Sequence, residues 1–233
     1  MKKLSRKLEN ELRRQDEDAY LQYYYVLRKR FEASKVNNLS LKTRKRIYPI
    51  LISLIRLRNR INGYHHTVIG DDREKTDRPK IFAVTHICKA DIEVVSDALK
   101  EHYYLLSGDF ENIHGTIDGL FLALNGVIYF NENDRVDRHG VKERMIQILK
   151  RGGNIMYFPE GTWNLSPNLP VLPFFKGIID VALGSDAMII PVAIEQYENR
   201  FITKIGRNFD VFYYGEERKA EALSELRNCR TAN

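Results

Sequence analysis

An α/β fold is the architecture this sequence predicts: a single domain with a mixed, partly parallel sheet flanked by helices, preceded by an N-terminal helical segment. Three observations predict it. From Lys80 onward, short apolar runs alternate with helical patterns, as in strands joined by crossover helices. The clearest run, Ile81 to Val84, is apolar throughout, as a buried strand is. Before residue 63 the periodicity is helical and rich in cations. We therefore read 1–62 as the N-terminal helical segment and 63–233 as the α/β body. At 233 residues and 27.3 kDa, one core suffices.

In chain order, residues 2–33 read as one polar helix, with Leu4, Leu8 and Leu12 at helical spacing. Asn37 and Asn38 break the pattern. A second helix spans 41–62, with Pro49 expected to kink or start its apolar part. It carries Ile47, Ile50, Leu51, Leu54, Ile55 and Ile61, flanked by Lys42, Arg44, Lys45, Arg46, Arg56, Arg58 and Arg60 with no acid among them. Such a helix can lie in a membrane interface or cover the core with its cations solvated. HTVIGDD (66–72) and the stretch to Pro79 read as polar, charged loops. Strands follow at 81–85, 103–106, 127–130, 155–158 and 187–194, with helices at 89–101, 117–124, 139–151 and 176–184 between them. Segments 201–205 and 210–214 suggest a terminal hairpin, and 216–226 a last helix.

The net charge of +6 and pI near 9.2 point to an anionic partner: nucleic acid, phospholipid surface or phosphorylated metabolite. No nucleic-acid module is recognisable, so none is expected as partner. Cys88 and Cys229 form neither a disulfide framework nor a zinc spacing, which predicts a reducing compartment and no metal. The first twenty residues lack an apolar core of signal-peptide type. The longest apolar run, Gly119 to Phe130, is broken by Asn125 and Gly126 and falls short of the roughly 20 residues a spanning helix needs. No membrane crossing is expected.

Two stretches carry candidate chemistry. In IFAVTHICKAD, His86 emerges where a strand ends, and Asp91 opens the next helix. In an α/β fold that position faces the ligand crevice. An imidazole there, oriented by a carboxylate, can act as a general base. The same spacing recurs as His66 and Asp71, but between a basic helix and a charged loop, so context favours His86. In NIMYFPEGTWN, a strand leads into Glu160, Gly161 and Thr162: a carboxylate, a backbone open to close approach, and a hydroxyl.

Together these stretches resemble the 1-acylglycerol-3-phosphate acyltransferase family of lysophospholipid acyltransferases. Its Asn-His-x4-Asp motif is matched by His86 and Asp91, with Thr85 replacing the Asn. Its Phe-Pro-Glu-Gly-Thr-Arg motif is matched from Phe158 to Thr162, with Trp163 replacing the Arg. Ile190-Pro191-Val192 resembles its Val-Pro-Val strand, and Lys176-Gly177 its usual pair before a helix. The motif of a glycine-led strand followed by an arginine is approximate, leaving Arg135 or Arg138 as that arginine. The resemblance covers about Ile81 to Val192.

It implies transfer of an acyl group from a thioester to a lysophospholipid hydroxyl, with 1-acylglycerol-3-phosphate giving phosphatidic acid. The donor would be acyl-CoA or an acyl carrier protein, and no cofactor is implied. His86 would be the general base and Asp91 its orienting partner; Cys88 competes as a nucleophile only if it aligns with His86. Substrate contacts would come from Glu160, Gly161, Thr162, Arg135, Arg138 and Lys176, with Lys89 as a further cation. The loss of the motif arginine at Trp163 opens the question of whether the acceptor carries a phosphate. The expected location is cytoplasmic, peripheral on the inner face of a membrane. The alternative is a non-catalytic protein binding lipid or anionic surfaces on the same scaffold.

Overall fold

A computed structural model describes residues 4–166 and 168–229. Residues 2 and 3 of the predicted first helix, and the patternless C-terminal residues 230–233, lie outside them. The described chain begins with α1 (Arg6–Gln15), α2 (Glu17–Glu32) and α3 (Leu41–Ile61). The first predicted helix is thus two. Asp16 separates them because its carboxylate accepts from Ala19 N at 2.9 Å, capping α2 and ending α1. Helix α3 runs through Pro49 without stopping, capped by Ser40, which accepts from Thr43 N at 3.1 Å.

β1 (His65–Asp71) follows, where the polar sequence suggested a loop. It is an edge strand bonded only to β7, which is why it lacks an apolar signal. The body then proceeds through β2 (Lys80–Val84), α4 (Asp91–Leu99), β3 (Tyr104–Ser107), α5 (Phe110–Ile113), α6 (Ile117–Asn125), β4 (Val127–Tyr129), α7 (Arg135–Lys150), β5 (Ile155–Tyr157), α8 (Gly177–Ser185), β6 (Met188–Tyr197), β7 (Arg200–Ile205) and α9 (Lys219–Asn228). The sheet order is β1-β7-β6-β2-β5-β3-β4. Only β6 and β7 pair antiparallel; every other neighbouring pair is parallel. The expected terminal hairpin is not formed. β7 pairs with β6 instead, and 211–213 is a 3-10 turn capped by Asp210, because Phe209 already bridges Ile189.

Strand alternation divides the core. Phe82 and Val84 of β2 face α3, α4 and α6, together with α2 tyrosines, whereas Ile81 and Ala83 face α7, α8 and α9. Both sheet faces are covered, which accounts for the unbroken apolar run of β2. Helix α3 seats Tyr48, Leu51 and Ile52 inward, with Tyr48 Oη donating to Ser96 O at 3.2 Å. Arg44 is not a solvated flank: it is fully buried and donates to the carbonyls of Val36, Asn37, Leu39, Ala123 and Leu124, the last two ending α6. Among the described residues, no helix is long and apolar enough to cross a membrane.

Candidate active site

β2 and β5 are adjacent and parallel, so their carboxyl ends deliver His86 and Glu160 to the same sheet edge. Thr85, buried, closes β2: its Oγ1 accepts from Ile194 N at 2.9 Å and its N–H donates to Val192 O. It fixes the strand end from which His86 leaves. His86 Nδ1 lies 2.9 Å from Asp91 Oδ2, and Asp91, first residue of α4, is fully buried. The same oxygen accepts from Ile87 N at 2.7 Å and Cys88 N at 3.0 Å. A carboxylate oxygen can only accept, so Nδ1 carries the proton of this hydrogen bond.

The ring is held on its faces as well. Phe158 stacks on His86 with centroids 4.2 Å apart, and Trp163 meets it edge-on at 5.9 Å. The His86 backbone is clamped at both polar groups: its N–H donates to Glu160 Oε1 at 3.2 Å, and its carbonyl accepts from Asn164 N at 2.6 Å. Glu160 is buried, and its second oxygen accepts from Leu172 N at 2.8 Å. It is occupied by backbone donors and positions the loop. Gly161, at φ +71°, makes the turn; a Cβ there would stand 2.3 Å from the Phe175 ring. Asn164 carries no sequence signal for its clamp, because the carbonyl it meets belongs to a loop 78 positions away.

Cys88 is not aligned with His86. Its Sγ donates to Asp91 Oδ1 at 3.2 Å, and burial, reinforced by the Asp91 charge, pushes the thiol up to about 12. His66 does not meet Asp71 at all. The two lie on one strand, about 16 Å apart at roughly 3.3 Å per residue. His66 Nε2 bonds Thr203 Oγ1 at 2.9 Å instead, and Asp71 pairs with Arg73 at 2.6 Å.

His86 opens onto a cavity of about 1980 Å³. Its apolar lining includes Leu105, Phe121, Leu122, Phe130, Met145 and Val181. Of the sequence-predicted contacts, Gly161, Arg135, Arg138 and Lys176 line it, as does Lys89; Thr162 is exposed on the adjoining turn but is not a lining residue. Helix α7 starts at Arg135, four residues earlier than its apolar periodicity suggested, because Asp134 caps it by accepting from Val136 N at 2.8 Å. Both arginines therefore stand at its N-terminal end. Arg138 Nη1 donates to the Glu132 carbonyl, whereas Arg135 has no side-chain partner among the described residues.

A family model described as Acyltransferase matches residues 65–195, more than half of the chain. The chain belongs to this acyltransferase family. Among curated relatives, a 1-acyl-sn-glycerol-3-phosphate acyltransferase of Borreliella burgdorferi is 32% identical over 136 residues, covering 58% of this chain and 48% of that protein. One from Neisseria gonorrhoeae is 30% identical over 73 residues, covering 31% and 28%. The chain thus spans about half or less of the length of these relatives. The crystal structure of the 1-acyl-sn-glycerophosphate acyltransferase PlsC from Thermotoga maritima superimposes with a TM-score of 0.63 at 18% identity, covering 89% of this chain and 91% of that one. That likeness shows that the acyltransferase domain shares its fold.

Proposed function

We propose that this acyltransferase moves a fatty acyl group from a thioester, acyl-CoA or acyl carrier protein, to the hydroxyl of a lysophospholipid, with 1-acylglycerol-3-phosphate as acceptor and phosphatidic acid as product. One observation carries the reading: an imidazole locked by a buried carboxylate opens onto a large cavity lined by apolar side chains and cations. An alcohol is a poor nucleophile near neutral pH. His86 Nε2 takes its proton as the oxygen attacks the thioester carbonyl, and Asp91 stabilises the imidazolium that forms. Collapse of the tetrahedral intermediate breaks the carbon–sulfur bond, and the imidazolium returns the proton to the departing thiolate. The balance is one ester formed and one thiol released.

The amides of His86, Ile87 and Cys88 are committed to Glu160 and Asp91. Donors for the developing oxyanion come from elsewhere in the site. For the acceptor phosphate the cavity lining offers Arg135, without a side-chain partner among the described residues, and also Lys89 and Lys176. The assembled His86–Asp91 pair favours turnover over simple lipid binding.

Attachment to a membrane surface completes the reading. Helix α3 has two faces: Tyr48, Leu51 and Ile52 cover the core, while Ile50, Leu54, Leu57 and Ile61 form an exposed stripe at helical spacing. The test of the activity is thiol release from acyl-CoA across a panel of lysophospholipids. Release that depends on lysophosphatidic acid supports the assignment; no release with any acceptor or donor refutes it.

A further inference from the structure

The stripe on α3 is not the only apolar surface left uncovered at the cavity. Leu54, Leu57 and Ile61 line the same cavity as His86, and so do Trp163 and Phe175 from the segment after β5. Trp163 is 46% exposed and Phe175 62%, although both are large apolar side chains. Leu165, two residues beyond Trp163, does not line the cavity and is 78% exposed. Two elements more than a hundred residues apart thus present apolar surface around one site. Exposed apolar surface of this kind marks an interaction face.

Charge selects the partner. Helix α3 has no acidic residue, and its Lys42, Arg46 and Arg60 are exposed. Lys89 and Lys176 are exposed at the cavity lining; of the four acids there, Glu93 and Asp118 share the one guanidinium of Arg58 at 3.2 and 2.5 Å. With Asp109 and Glu132 they are outnumbered by the lining cations Arg6, Arg58, Lys89, Arg135, Arg138, Lys142 and Lys176. Apolar side chains interspersed with cations fit an anionic lipid surface, and an indole suits the headgroup level in particular. A proposed acceptor with a long acyl chain would also be supplied from such a surface.

We propose that Trp163, Leu165 and Phe175 form a second bilayer contact beside the α3 stripe, so that the cavity opens onto an anionic leaflet and the acceptor enters laterally. This rests on the reading of the acceptor as a membrane lipid. The loop that orients His86 through Asn164 is then also the loop that senses the membrane.

Trp163 is the sole tryptophan of the chain, so the intact protein carries its own reporter. Mixed with vesicles of phosphatidylcholine and phosphatidylglycerol at 3:1, its emission should move to the blue and be quenched by acyl-brominated lipid. Leu165→Ser should weaken vesicle binding about tenfold, the equivalent of burying most of one leucine. Because Leu165 lies off the cavity, that loss separates bilayer contact from a lipid bound in the site. Protein that sediments with vesicles while Trp163 emission stays unshifted and unquenched, or with Leu165→Ser binding as wild type, overturns the second contact but leaves membrane attachment standing. Protein that does not bind vesicles at all overturns both.

Discussion

Replacing Glu160 by glutamine separates a positioning role from substrate binding. The side chain is buried, and its two oxygens accept from His86 N at 3.2 Å and Leu172 N at 2.8 Å. Glutamine keeps one carbonyl oxygen, but its amide N–H must point at one of two backbone N–H groups. The shorter bond, to Leu172, should be retained, so the clash falls on His86 N. A charge-assisted hydrogen bond lost inside the protein costs about 1.5–3 kcal/mol. For a chain of this size that lowers Tm by roughly 3–12 °C. Displacing the His86 backbone by a fraction of an ångström misaligns the base, for which a loss of kcat of about 10- to 100-fold is expected. The acceptor KM should stay near wild type, because the carboxylate touches backbone rather than substrate. Thermal melts and steady-state kinetics with lysophosphatidic acid measure all three quantities. A raised KM with an unchanged Tm would show that Glu160 binds substrate and that the positioning argument is wrong.

His86→Ala should lower acyl transfer by a factor of about 10²–10⁴, while His66→Ala, whose ring meets Thr203 rather than Asp71, leaves turnover per folded molecule nearly intact; equal losses in kcat would refute the assignment. Arg135→Ala should raise the acceptor KM strongly and Arg138→Ala only slightly, since Arg138 is already engaged by the Glu132 carbonyl; Trp163→Arg should improve use of lysophosphatidic acid over neutral lysolipids. The reverse order for the arginines in acceptor titrations would exchange their roles. Stability should fall as pH drops from about 6.5 towards 4: burial pulls the His102 ring down to about 4 from the 6.5 of a free imidazole, so in that window the unfolded chain binds a proton that the folded one refuses. Urea melts at pH 7 and 5 should show the loss, and a His102→Gln variant should show less of it.

Buried strands were legible in the sequence because both sheet faces are covered and β2 therefore reads as one apolar run. β1 was not, since an edge strand with exposed Val68 and Ile69 beside histidines and aspartates has no one-sided pattern. His86 and Asp91 were legible because the whole pair lies within six residues. Glu160 is legible as a site residue, but its partners are not: His86 N and Leu172 N are backbone atoms, and no side-chain pattern announces them. The burial of Arg44 is not legible for a similar reason: its five carbonyl partners come from the loop before α3 and from the end of α6, about 80 positions away.

The Asp91 carboxylate does two separable jobs at one oxygen. It orients an imidazole, and it gathers the amides of Ile87 and Cys88 into the turn that starts α4. The second job has nothing to do with turnover. A descendant of this scaffold that abandoned catalysis would still need the aspartate in order to fold its turn, while the histidine would be free to drift. Across such descendants the aspartate records ancestry, and the histidine alone records whether the site is still in use.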